Sequence, residues 1–404
     1  MAEGDKLDYT ALMDATEPGV LTADGLQPGQ MILNMGPQHP STHGVLRLEL
    51  LVEGELVQRC IPHIGYLHRC FERHAQALPF NQIIPFVDRL DYLAAMNSEH
   101  VYAMAVERML GLEGQLDPRT EHIRVLVCEL NRLASHFVAL GTYGLDIGAF
   151  TPFLWLMRDR EHILRMLEWV CGARMLYNYI WIGGLYYDLP LGFERVCADL
   201  ARYLPAKLDE ARDLLLNNRI FIVRTANVGV LPPDVALAWA ASGPMLRASG
   251  FAVDSRKTGG YSAYPQLAFE VPIGQGLRGQ TGDCWDRAWV RLQECYQSVD
   301  LIRQCAHALA GPLARTPAYD PQAFCPKKIR PVAQTTYFAA ETPRGALGFL
   351  LSTDGKADIP LRCKVRSPCF AHLALLPTLA ENVLVADLVA IVGSLDLVMG
   401  EVDR

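Results

Sequence analysis

An α+β fold is predicted: a large central helical bundle, with strands from the N- and C-terminal ends meeting in one small sheet. Apolar residues alternate with polar ones near both ends, in MILNM and VLRLELLVEGELV (from Met31 and Val45) and in QTTYFAAETPRGALGFLLSTDG (from Gln334). Between those ends, long segments repeat apolar residues every three or four positions. The chain has 404 residues, half of them apolar and a fifth charged, which is enough for a core of more than one layer.

The organisation follows in order. Residues 1–30 are polar and rich in Gly, Asp and Thr, and read as a tail. Residues 31–68 hold a strand, a loop and a hairpin turning at Glu53-Gly54. Residues 69–330 form the helical core. Its first long helix is predicted over 87–111, with Leu90, Leu93, Asn97, Val101, Met104 and Ala105 on one stripe and Gly111 as the stop. A second runs from Pro118 to Gly141. A third is capped by Thr151, carries Pro152 in its first turn, and extends to Ile180. A fourth spans 193–218 with a break at Pro205, and a fifth spans 283–311. Residues 331–404 return to strands around a Pro-Arg-Gly turn, and one apolar helix over 379–400 ends the region.

Composition excludes several classes. A net charge of -7 argues against a nucleic-acid partner, because a phosphate-binding face needs cationic excess. No eighteen apolar residues run together, so no segment is expected to span a bilayer unaided. The acidic start MAEGDKLDYTALMDATEPGV reads as neither a secretory signal nor a transit peptide. Eleven cysteines occur without a C-x-x-C pair, and the closest, Cys363 and Cys369, stand six apart. They are expected to be buried, reduced thiols rather than metal ligands or disulfides, so the metal expectation is none.

Three places could carry chemistry. In GPQHPSTHG, His39 and His43 are four apart, but Pro37, Pro40 and Gly44 forbid the helix that would aim both at one metal. The loop either caps its own turns with imidazoles or stiffly presents one to a ligand. Arg89, Tyr92, Met96 and Glu99 fall on one flank of the first predicted helix; such a tyrosine is ordinarily a core residue with its hydroxyl at the rim. Asp146, in GTYGLDIGAFTP, is either a turn former or a carboxylate that braces an imidazole.

GPQHPSTHGVLRL, DRLDY, LNRLASH, LDIGAFTPFLW, GDCWDR, STDGKADIPLRCKVRSPCFAHL and VADLVAIVGSLDLVMGEVDR occur in that order between Met31 and Arg404. Together they resemble the D-type subunit family of NADH-quinone oxidoreductase, bacterial respiratory complex I, which is itself similar to the large subunit of [NiFe] hydrogenases. The hydrogenase cysteines of R-x-C-x-x-C are matched here by Asp91 and Ala94, after Arg89. Those of D-P-C-x-x-C are matched by Val398 and Glu401, after Asp396. Without four thiolates a nickel–iron site is excluded, and the resemblance implies a quinone head group in the vacated place.

The resemblance further implies that Tyr92 and His43 donate hydrogens at the two ends of the quinone ring, with Asp146 pairing the histidine and raising its pKa. His39 and Met96 would also border the quinone. Arg69 and Arg89 would lie beside a [4Fe–4S] cluster held by the adjoining B-type subunit, without being ligands. The chain alone binds no cofactor; quinone is substrate, and NADH is oxidised elsewhere in the complex. Expected partners are subunits B, C and H, with a further one, the I-type subunit, nearby. Membrane contact comes through them, at the cytoplasmic face of the cell inner membrane. Trp181 stands where the family often has arginine, and Tyr186 where many members have a histidine thought to couple a proton to cluster reduction. A phenol does not titrate near neutral pH, so the cluster potential is expected to vary weakly with pH. The competing expectation is a non-catalytic scaffold of a membrane-bound hydrogenase-like complex.

Overall fold

The computed structural model describes residues 26–39 and 44–404; His43 and most of the expected N-terminal tail lie outside them. Strands β1 (Gln30–Met35), β2 (Arg47–Glu53) and β3 (Leu56–His63) pair antiparallel. Alternation explains β2: Leu48, Leu50 and Val52 are buried on one face. The β2–β3 turn is two residues long, and its first residue, Gly54, adopts a φ of 61° that favours glycine.

The helical region begins with α1 (Phe71–Ala75) and α2 (Phe80–Val87), then α3 (Ala95–Leu110). The predicted helix over 87–111 is therefore shorter. Asp91 Oδ1 accepts from the Leu93 amide at 3.2 Å, which offers the backbone a turn in place of a helical bond. Arg89 and Tyr92 consequently sit on the α2–α3 turn rather than on a helix flank. Gly111, at φ 70°, ends α3 as expected.

Helix α4 (Pro118–Asp146) is the buried axis of the bundle, flanked by α5 (Phe150–Cys171) and by the 27-residue α7 (Cys284–Ala310), which also packs on α6 (Phe193–Ala211). Asp117 caps α4 by accepting from the Arg119 amide at 2.7 Å. The helix does not stop at Gly141. A Cβ there would lie 3.3 Å from Phe153 Cδ2, and one at Gly144 would lie 3.0 Å from Leu215 Cδ1, so both glycines serve close helix packing. Helix α5 starts one residue before Thr151, without a side-chain cap, and stops at Gly172 rather than Ile180. Helix α6 continues through Pro205, and its irregularity appears later, as the π turn Arg212–Leu216. Between α5 and α6, β4 (Ile180–Trp181) and β5 (Gly184–Leu185) make a minimal hairpin.

The end strands share one sheet only in part. Strands β6 (Gln334–Thr342), β7 (Gly345–Thr353) and β8 (Arg362–Arg366) form their own antiparallel sheet, and only β9 (Val383–Leu384) joins the N-terminal one, beside β3. Helix α3 packs on β6 and β7 and covers apolar side chains such as Phe349, whose ring meets Tyr102 edge-on at 5.4 Å. A sheet face covered by a helix buries more apolar surface than edge-to-edge joining would. The expected final helix is split: α8 (Val385–Leu395) ends at Asp396, at φ 54°, before α9 (Met399–Asp403). The α+β class stands.

Candidate functional site

Arg344 lies at the tip of the β6–β7 hairpin and is 1% exposed. Its guanidinium donates to Asp91 Oδ2 at 2.8 Å, to Ser135 Oγ at 2.7 Å and to Asp396 Oδ1 at 3.3 Å. Arg291 of α7 approaches Asp396 Oδ2 at 3.7 Å. Two acids from distant turns are thus gathered round one buried cation, which stays charged because both carboxylates face it. Burial raises the pKa of Asp91 despite Arg344. Glu401, fully buried near Cys369 and Asp91, is pushed up to about 7, first by burial and then by the Asp91 charge.

Tyr92 follows Asp91 on the same turn and is half-buried. Burial raises the pKa of its phenol, with Arg344 opposing, so the hydroxyl keeps its proton at neutral pH. Helix α9 connects this turn to the histidine loop. A Cβ on Gly400 would lie 2.9 Å from both the Arg89 and Leu90 carbonyl oxygens, and one on Gly44 would lie 3.5 Å from Met399 Cγ. The residue next to His43 and the turn carrying Tyr92 therefore touch the same five-residue helix. The loop is also pinched at its base, where the Gly36 Cα faces the Leu46 carbonyl and His39 bridges Gly44.

The other expected residues are more dispersed. His39 is exposed. Met96 is fully buried in the first turn of α3, where its amide donates to Asn131 Oδ1 at 3.0 Å. Asp146 is the last residue of α4, and its Oδ2 would lie 3.1 Å from a Cβ on Gly393 of α8. Eleven residues of helix separate it from Ser135, or roughly 16 Å along the axis. Arg69 and Arg89 are exposed and adjacent: Arg69 Nη2 donates to the Arg89 carbonyl and Arg89 Nη1 to the Pro85 carbonyl, each at 2.5 Å. The Trp181 and Tyr186 rings lie 4.7 Å apart, tilted by 32°, and Arg124 holds the Trp181 carbonyl at 2.9 Å.

Sequence reasoning missed Arg344, because a Pro-Arg-Gly hairpin tip reads as a solvated turn. It named Asp396 only as the aspartate ahead of the former cysteine places, and Glu401 only as an occupant of one of them. The positions of Asp91, Ala94, Val398 and Glu401 are all buried. Among the described residues, no three His, Cys, Asp or Glu side chains are grouped so as to hold a metal ion, and no helix is long and apolar enough to cross a membrane.

Residues 146–404 match the family described as respiratory-chain NADH dehydrogenase, 49 Kd subunit. The chain belongs to that family. The D-type subunit 1 of NADH-quinone oxidoreductase from Cytophaga hutchinsonii is 62% identical over 392 residues, covering 97% of this chain and 100% of the relative. The D-type subunit of Amoebophilus asiaticus is 58% identical over 389 residues, 96% of each chain, and that of Chlorobium phaeovibrioides 52% over 385, 95% of each. As a 49 kDa-family chain it is a subunit of an oxidoreductase complex and works beside partner subunits.

Proposed function

We propose that this chain forms the quinone-reducing site of a proton-translocating NADH-quinone oxidoreductase, with Tyr92 and His43 as the hydrogen donors. The observation that carries the reading is the placement of α9, which contacts both the turn bearing Tyr92 and the residue after His43. A quinone takes up two electrons and two protons to become a quinol, and its oxygens grow negative as electrons arrive. Donors at opposite ends of the ring stabilise that charge. Tyr92 keeps a proton to donate throughout the neutral range, whereas an imidazole titrates near working pH and is the better proton source. Asp146 pairs with His43 and favours its cation, and His39 and Met96 border the quinone.

The exposed Arg69 and Arg89 mark the face toward the B-type subunit. A [4Fe–4S] cluster held there supplies the electrons, and their positive charge favours its more negative, reduced form. Trp181 and Tyr186 stand where the family often has arginine and histidine, so this segment has no imidazole to couple a proton to cluster reduction. The C- and H-type subunits, with the I-type nearby, complete the surroundings. The chain lies peripherally at the cytoplasmic face of the inner membrane and reaches lipid through its partners.

Tyr92→Phe in the assembled complex tests the reading. NADH-driven quinone reduction is expected to fall on the order of 100-fold, while NADH oxidation by a water-soluble artificial acceptor and subunit content stay unchanged. Unchanged quinone turnover would identify the chain as a scaffold instead.

A further inference from the structure

Asp88 and Glu99 form a second acidic site, apart from the Arg344 cluster. Asp88 follows α2 directly, and Glu99 lies in the second turn of α3; they are 1% and 0% exposed. Three consecutive amides of the segment before and within β4 bind them: Asn178 donates to Asp88 Oδ2 at 3.1 Å, and Tyr179 and Ile180 donate to Glu99 Oε2 at 2.8 and 2.7 Å. That leaves Asp88 Oδ1 and Glu99 Oε1, which no other described N–H or O–H reaches. Each carboxyl group nonetheless acts at close range on the other's affinity for a proton, so the two lie side by side.

Ionised carboxylates only accept hydrogen bonds, so two of them cannot bond to one another. Their free oxygens are both satisfied if one carboxyl carries a proton and donates it to the other. We propose that Asp88 and Glu99 share a single proton at neutral pH and act as a positioning pair, clamping the 178–180 backbone to the α2–α3 turn. The chemistry is that of paired acids elsewhere: like charges in contact cannot both ionise, and burial disfavours the second charge further.

The surroundings do not supply a compensating cation. Arg89 acts on Asp88 only from a distance, being exposed and turned to the Pro85 carbonyl, and no described Lys or Arg side chain bonds to either carboxyl group. Tyr177, Cys171 and Cys128 face the pair from the neighbouring elements, and burial raises the pKa of each, so all three stay neutral. Burial likewise pushes Asp88 up to about 6 and raises Glu99 well above the carboxylate range. The clamp joins Arg89, one residue after Asp88, to Trp181, one residue after Ile180. Its importance for electron arrival rests on the function proposed above; the proton itself does not.

Infrared difference spectroscopy on the assembled complex tests the shared proton. In wild type at about pH 8, a carbonyl stretch of a protonated carboxylic acid is expected, shifted in heavy water and moved by isotope labelling of glutamate or aspartate carboxyl carbons. Glu99→Gln and Asp88→Asn are each expected to abolish it. Glu99→Gln should retain quinone turnover within about twofold, because its amide accepts the same backbone bonds and donates to Asp88, whereas Glu99→Ala should lose several-fold. A spectrum without a label-sensitive acid band in wild type, or with that band intact in both amide variants, overturns the proposal. If the band behaves as expected but Tyr92→Phe leaves turnover unchanged, the shared proton stands and the quinone reading fails.

Discussion

At the scale of single residues, Glu401 shows how a position can outlive its original chemistry. It occupies a place that the hydrogenase resemblance assigns to a thiolate ligand, yet it is a carboxyl group buried beside Asp91 and Cys369. Its pKa is about 7 in the folded chain against 4.5 for an unperturbed glutamate, so the folded state holds more protons between those values. Stability from this residue therefore falls as pH rises through that window, and the cost is fully present above it. Glu401→Gln removes the titration. The thermal midpoint of the complex should rise at about pH 8, by the equivalent of up to roughly 3 kcal/mol, and stay level at about pH 4. A shift of equal size at both pH values would mean that Glu401 acts by packing alone. Sequence could offer Tyr92 and Glu401 as separate candidates. It could not show that both border the Asp91–Arg344 cluster, because that adjacency is set by segments about 250 residues apart meeting at one cation.

Elements were legible where one physical signal dominated. The two-residue period fixed β2, β3, β6 and β7, and Gly111, at positive φ, marked the end of α3, whereas Gly172, which ends α5, was passed over. Glycine misled where its role was close approach, as at Gly141 inside α4, because sequence does not distinguish a helix stop from a packing contact. Side-chain competition was the second source of error: Asp91 favours a turn where the helix was predicted, and so moved Tyr92 to where it is half-buried. Gly400 tests close approach at the site itself. A methyl group there meets two carbonyl oxygens of the α2–α3 turn at 2.9 Å, and backbone gives way less readily than a flexible side chain. Gly400→Ala should destabilise by about 1–3 kcal/mol and lower quinone turnover, while Gly141→Ala, which meets the Phe153 ring at 3.3 Å, should shift stability more than turnover. Equal turnover losses in the two variants would deny α9 a special place.

Across the whole molecule, buried charge does what a single apolar core would leave unspecified. Arg247 binds Glu294 at 2.6 Å and Glu341 at 2.8 Å, and His136 meets the same Glu294 at 2.9 Å, so α4, α7 and β6 are locked in register deep in the protein. Arg344 extends that logic to the site. One guanidinium joins the β6–β7 tip, the α2–α3 turn, α4 and the α8–α9 junction. Deleting it leaves Asp91 without the cation that opposes its desolvation, whereas Asp396 still has Arg291 at 3.7 Å. Breaking a buried pair from one side costs about 3–5 kcal/mol, more than the intact pair contributes, because the remaining charge is stranded. Arg344→Met is therefore expected to lower the thermal midpoint of the complex sharply at neutral pH and less in acid, where Asp91 takes up a proton. Adding Asp91→Asn removes the stranded charge and should recover most of the loss. If the double variant were as unstable as Arg344→Met alone, the hairpin tip would be held by packing rather than by charge, and the four segments would need another reason to meet beside Tyr92.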